Sequence, residues 1–186
     1  SRRSHAALFA ARLKERATPM GMQNLRCEIS MSTGKLTPDG IDVVEFLFAF
    51  NKNQTLRPVA GTASGGEISR LMLSIKSITA ESMHLPTIIF DEVDTGVSGE
   101  VATRMADMMK DISGNIQVIT ITHLPAVAAR GDVQFKVYKQ DDEDSTFTSI
   151  RRLGDAERIE EIAAMISGDN ADEAARVTAA KLLGFK

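Results

Sequence analysis

Two short apolar runs separated by a helical segment constrain this chain more than any other feature. Thr87-Ile88-Ile89-Phe90 is β-branched and aromatic and ends abruptly in Asp91-Glu92. That is the composition of a strand buried on both faces. Residues 101–112 carry Met105, Met108 and Ile112 at helical spacing, and Ile116, Val118, Ile119 and Ile121 form a second buried run. Strand, helix and strand at this spacing predict a parallel βαβ crossover, because the connection is long enough to return the chain to the same end of a sheet.

Around this unit the hydrophobic period changes. Residues 4–17 read as a helix, with Ala7, Leu8, Ala11 and Ala17 inward and Arg2, Arg3, Arg12, Lys14, Glu15 and Arg16 polar; Pro19 and Gly21 stop it. Leu25, Cys27, Ile29 and Met31 alternate with Arg26, Glu28 and Ser30, the period of a half-buried strand. The turns Thr33-Gly34-Lys35 and Pro38-Asp39-Gly40 lead to a second strand over residues 41–50, which predicts an antiparallel hairpin or meander. Residues 51–63 have no period and read as a loop. From Glu67 to Met83, the residues Ile68, Leu71, Met72, Ile75 and Ile78 mark a helix face. Alternating strands are expected over residues 133–139 and 147–152, flanking an acidic tip at 140–145. Two helices, near 156–166 and 171–183, follow with Gly168 between them.

At 186 residues, 43% hydrophobic and 25% charged, the chain has enough apolar content for a folded core and too much for disorder. With 22 Lys+Arg against 25 Asp+Glu, the net charge of −3 gives no global sign of nucleic-acid binding. The single cysteine, Cys27, excludes an internal disulfide and a cysteine-based metal site and fits a reducing, cytoplasmic setting. No apolar run approaches the roughly 20 residues that span a bilayer, so no membrane role is expected. The opening Ser1-Arg2-Arg3 lacks Met and is already helical in pattern, as expected of a piece of a longer polypeptide.

Three constellations carry chemistry. Ser64-Gly65-Gly66-Glu67 is a capping box, with Ser64 as N-cap and Glu67 reaching back. Capping does not explain two glycines in the first helical turn, where each weakens the helix. They suit an anion that must approach bare backbone at a helix N-terminus. Asp91-Glu92 lies at the carboxyl end of a parallel strand, where open α/β sheets bind ligands; the same pattern arises when a chain simply reaches solvent. An Asp there can hold Mg²⁺, and a neighbouring Glu can orient or deprotonate a water. Thr122-His123 follows the second strand, so the crossover brings His123 to the edge that carries Asp91-Glu92. A phosphate-cradling G-x-x-x-x-G-K-[ST] loop is missing. The only Gly-Lys pair, Gly34-Lys35, is followed by Leu36 and reads as part of a hairpin turn.

In this order the three constellations resemble the signature motif, Walker B motif and switch histidine of ABC-type ATPases. The strings ASGGEISRLMLSIK (63–76), TIIFDEVDTGVSGEVA (87–102) and ITHLPAVAA (121–129) are similar to bacterial SMC-like ATPases of DNA repair, and the likeness covers nearly the whole chain. It implies an α/β fold: the C-terminal lobe of an ABC/SMC-type P-loop ATPase head, largely parallel sheet flanked by helices, with antiparallel strands at the edges. Residues 1–18 would end a returning coiled-coil helix, and 19–186 would be the head lobe. The Walker A loop would belong to an N-terminal lobe.

The resemblance further implies ATP and Mg²⁺ as cofactors. Ser64, Gly65, Gly66 and Glu67 would contact ATP held by a second protomer of a homodimer. Asp91 would bind Mg²⁺ through water, Glu92 would activate water, and His123 would sense the γ-phosphate. Asp94, Thr95, Gly96, Val97, Ser98 and Gly99 would form the D-loop at the dimer interface, with Ser98 where the wider ABC pattern has Asp. DNA would be a partner of a cytoplasmic, nucleoid-associated protein. Two other readings stay open: the head half of a chromosome-organising SMC-like ATPase, and a non-catalytic dimerisation module.

Overall fold

The computed structural model describes residues 2–61, 63–141, 145–168 and 170–185. Helix α1 (Arg2–Ala17) leads into the antiparallel pair β1 (Arg26–Thr37) and β2 (Gly40–Ala49), and β3 (Arg57–Pro58) adds a short rung to β2. Helix α2 (Gly65–Met83), strand β4 (Thr87–Asp91), helix α3 (Gly99–Ser113) and strand β5 (Gln117–Ile121) follow. A single turn, α4 (Pro125–Ala128), then precedes the hairpin β6 (Phe135–Asp141) and β7 (Thr146–Arg152). Helices α5 (Asp155–Ser167) and α6 (Glu173–Leu183) end the order. Residues 142–144 of the acidic tip lie outside the described residues.

The crossover forms as the sequence predicts. β4 and β5 pair in parallel with Thr87 opposite Gln117 and Asp91 opposite Ile121. Parallel pairing is confined to these two strands among the described residues; the antiparallel ladders make separate sheets instead of flanking one sheet. β4 and β5 are also covered on one face only. Ile88 and Phe90 are buried, whereas Ile89, Ile119 and Ile121 are exposed. Burial on both faces needs a layer on each side, and among the described residues the second face stays exposed.

The main core gathers Leu13 and Ala17 of α1, Leu71, Leu73 and Ile78 of α2, Ile88 and Phe90 of β4, and Met105, Met108, Met109 and Ile112 of α3. Full burial of a side chain such as Phe90 contributes roughly 1.5–3 kcal/mol. The inward side of α1 is the expected one only at Ala17. Leu13 and Ala17 are buried and Phe9 packs on the core, while Ala7, Leu8 and Ala11 are exposed. Alanine suits either face, so its spacing was a weak guide. On α2, Leu71 and Ile78 are buried with Ser74 and Ser77, whose hydroxyls donate to the carbonyls of Arg70 at 2.9 Å and Ser74 at 2.8 Å. Returning their protons to their own helix lets two serines occupy a core face. Ile68 and Met72 are left exposed.

A smaller core joins α5 and α6 through Ile162, Ala163, Ala175 and Ala179, with Ala129 beneath them. The Gly154 N–H donates to Glu157 Oε2 at 2.9 Å. That hydrogen bond, aided by Arg151, holds the Glu157 carboxyl below its ordinary range.

Candidate functional site

Glu92 departs from the backbone rules of the strand it ends. Its φ of 47° is left-handed, a region costing a non-glycine residue roughly 1–2 kcal/mol. The conformation is held from several directions. The Glu92 N–H donates to Ile121 O at 3.1 Å, and its carbonyl accepts from Thr95 N–H at 3.4 Å and from Thr95 Oγ1 at 2.9 Å. Strain over-determined in this way at a strand end is where a functional side chain is commonly aimed. The hydrogen bond to Ile121 also fixes the ends of β4 and β5 side by side, so His123 emerges two residues beyond the point where Glu92 is anchored. Asp91, Glu92 and His123 are all exposed at that edge.

The loop after Glu92 divides into inward and outward residues. Asp94 and Val97 are buried, 1% and 6% exposed, and the Val97 N–H closes a turn onto Asp94 O at 3.0 Å. Thr95, Gly96, Ser98 and Gly99 face outward, and Gly96 and Gly99 take left-handed φ values of 75° and 58°. Ser98 is the N-cap of α3 by position, yet its side chain makes no cap hydrogen bond. Asp94 Oδ2 accepts the Thr122 hydroxyl, and Asp94 Oδ1 lies 3.7 Å from His123 Nδ1. Asp94 therefore ties the β4 edge to the β5 edge, a role its position in the motif did not suggest. A carboxylate flanked by Val93 and Thr95 gives no sequence sign of burial.

Ser64 caps α2 as expected: its Oγ accepts from Glu67 N–H at 3.3 Å, and the Ser64 N–H donates to Glu67 Oε2 at 2.8 Å. The two glycines differ. A Cβ on Gly65 would meet nothing within 4 Å, so no steric contact among the described residues requires glycine there. A Cβ on Gly66 would stand 3.2 Å from an Arg70 guanidinium nitrogen and 3.5 Å from Gly96 O. The start of α2 thus rests against the loop that follows Glu92, and the first and second constellations share one region. Chemically, the region offers the Gly65 and Gly66 amides of the first turn of α2, two strand-end carboxylates and an imidazole.

Asp91 contributes a single carboxylate, and among the described residues no group of three or more His, Cys, Asp or Glu forms a metal cage. A lone carboxylate suits Mg²⁺, which is commonly held by one or two carboxylates together with waters and substrate phosphates.

Comparison with known proteins decides the relationship. The chain is 43% identical over 145 residues to the DNA repair protein RecN of Halalkalibacterium halodurans, covering 78% of this chain and 26% of that protein. RecN of Haemophilus influenzae is 35% identical over 185 residues, covering 98% of this chain and 33% of the relative. By sequence, the chain is similar to one part of RecN proteins. It spans about a third or less of the length of these relatives. No protein-family model matches it. Among solved structures, the Smc head domain with coiled coil and joint from Pyrococcus yayanosii superposes with a TM-score of 0.66 at 19% identity, covering 87% of this chain and 29% of that one. A structure described by ATP-driven dimerization and DNA-stimulated activation of SMC ATPases gives 0.55 at 18% identity, covering 86% and 92%. At these identities the likeness is one of fold, and the fold of this RecN-type chain is that of an SMC head lobe.

Proposed function

We propose that this chain is the C-terminal half of a RecN-type ATPase head acting in DNA repair, and that it supplies the signature and hydrolytic residues to a site completed by other segments. The observation that carries the reading is the strained Glu92, anchored to the β5 end from which His123 emerges. In this reading Glu92 orients the attacking water and accepts its proton, Asp91 faces the cation, and His123 reads the terminal phosphate. When bound, Mg²⁺ supplies charge neutralisation at the phosphates. Ser64, Gly65 and Gly66 present amides and a hydroxyl to the nucleotide of a second protomer. The open space over Gly65 supports this, because a Cβ there would meet nothing within 4 Å among the described residues. Thr95, Gly96, Ser98 and Gly99 form the outward part of the D-loop.

The exposed row Ile89, Ile119 and Ile121 supports an N-terminal lobe as the missing cover of the parallel pair, and that lobe would bring the Walker A loop. Hydrolysis by a site divided between lobes and protomers depends on assembly, so ATP would join two heads and its cleavage release them. Residues 1–18 would continue a coiled-coil arm, and DNA would be the partner of the whole, cytoplasmic protein. The test is ATP turnover by the chain combined with its N-terminal lobe. Turnover is expected to appear on mixing and to vanish with Glu92→Gln. Turnover by the isolated chain that is indifferent to Glu92→Gln would refute the reading.

A further inference from the structure

Asp94 is a carboxylate that has been taken out of water and only half satisfied. It is 1% exposed, and its Oδ2 accepts the Thr122 hydroxyl. Its buried Oδ1 has no hydrogen-bond partner among the described residues. A buried acceptor left in that state is costly, and the side chain has no route to solvent for relief. The donor within reach is His123, whose Nδ1 stands 3.7 Å from that oxygen while the ring itself is 66% exposed. A shift of less than 1 Å in the ring would close the bond.

Thr122 strengthens the case. The same hydroxyl that donates to Asp94 accepts the Leu124 N–H at 3.0 Å, so the backbone on both sides of His123 is clamped to the carboxylate. We propose that Asp94 is a positioning residue for His123: it accepts the Nδ1 proton, fixes the ring plane, and leaves Nε2 as the nitrogen offered to the crevice. A carboxylate behind an imidazole is a recurrent way to select tautomer and orientation. This inference rests on the proposed reading of His123 as the residue that meets the nucleotide phosphate. It assigns Asp94 to the inside of its own head and not to the interface between heads.

The test uses the full-length protein that contains this chain, with Asp94→Asn, His123→Ala and the double variant, measuring kcat and KM for ATP and the thermal midpoint. Asparagine keeps the shape and can still accept from Thr122, but it offers an N–H to Nδ1 and so favours the opposite tautomer. Asp94→Asn is expected to lower kcat by about tenfold or more with KM changed less than about twofold, and the double variant should be no slower than His123→Ala alone. If the two losses multiply instead, Asp94 acts independently of His123 and the proposal is wrong. A wild-type kcat for Asp94→Asn beside a slow His123→Ala overturns the proposal and leaves the reading of His123 intact. A wild-type rate for His123→Ala sinks both. Should Asp94→Asn fail to fold, Thr122→Val replaces it: a kcat loss that disappears in the His123→Ala background supports the clamp, and one that persists there contradicts it.

Discussion

Gly66 and Gly96 pass each other backbone against backbone: a Cβ on Gly96 would lie 3.8 Å from the Gly66 Cα, and one on Gly66 would lie 3.5 Å from the Gly96 carbonyl oxygen. Glycine is thus used at both sides of the contact between the start of α2 and the loop after Glu92. Gly65, one residue earlier, has open space instead.

This ordering predicts the effect of alanine at each position. Gly65→Ala should leave stability unchanged or raise it by up to about 0.5 kcal/mol, since alanine is the better helix former. Gly66→Ala should cost less than about 1 kcal/mol, because the tight neighbour is the mobile end of Arg70. Gly96→Ala should cost the most, about 1–2 kcal/mol, for its left-handed φ of 75°. Chemical denaturation measures all three. A large loss at Gly65 would mean that its glycine serves the fold and not a ligand.

Glu92 is one of two non-glycine residues, with His84, that take a left-handed φ among the described residues. Replacing it by glycine should remove the left-handed penalty and stabilise the chain by up to about 1 kcal/mol, offset in part by the greater freedom of glycine when unfolded. Glu92→Gln should leave stability within about 0.5 kcal/mol. Denaturation curves of the two variants decide it. A glycine variant that is clearly less stable would show that the carboxylate holds the loop.

Helices α1 and α2 are joined by one carboxylate. Glu81 accepts from Arg12 at 2.7 Å and from Arg16 at 2.6 Å, each pair partly shielded from solvent. Glu81→Gln should cost about 1 kcal/mol, and the loss should shrink in high salt. Hydrogen exchange of the α1 amides should rise in the same variant. Unchanged exchange there would show that apolar packing through Leu13 and Ala17 alone holds the helix.

Burial pushes the Cys27 thiol up to about 11. Near pH 8 its alkylation by iodoacetamide should run roughly tenfold slower than that of a free thiol: the thiolate is about a hundredfold scarcer, offset in part by the greater nucleophilicity of a more basic thiolate. The linkage sign follows from a folded value above the unfolded one. Ionisation favours the unfolded chain, so stability held below about pH 9 is lost as pH rises towards about 11. Cys27→Ser should flatten that decline. A rapidly alkylated Cys27 would contradict its half-buried position against the core.

Periodicity alone located nearly every element, because strand and helix spacing are local properties of the chain. The βαβ unit, the capping box and the adjacency of Asp91, Glu92 and His123 at one edge were all legible that way. The short turn α4 and the two-residue strand β3, within the stretch read as a loop, were missed, since two to four residues are too few to show a period. Which side of α1 and α2 faces inward was read only in part, because alanine and serine accept either environment.

Residue order determined where the chemistry-bearing groups fall along the chain and which ends of which strands carry them, since chirality leaves one hand for the crossover. Tertiary structure alone decided that Glu92 takes a left-handed φ, that Asp94 turns inward beneath His123, and that one face of β4 and β5 stays open. Each of these depends on contacts between segments 28 or more residues apart or on the absence of a covering layer. Neither is encoded in the spacing of neighbouring residues.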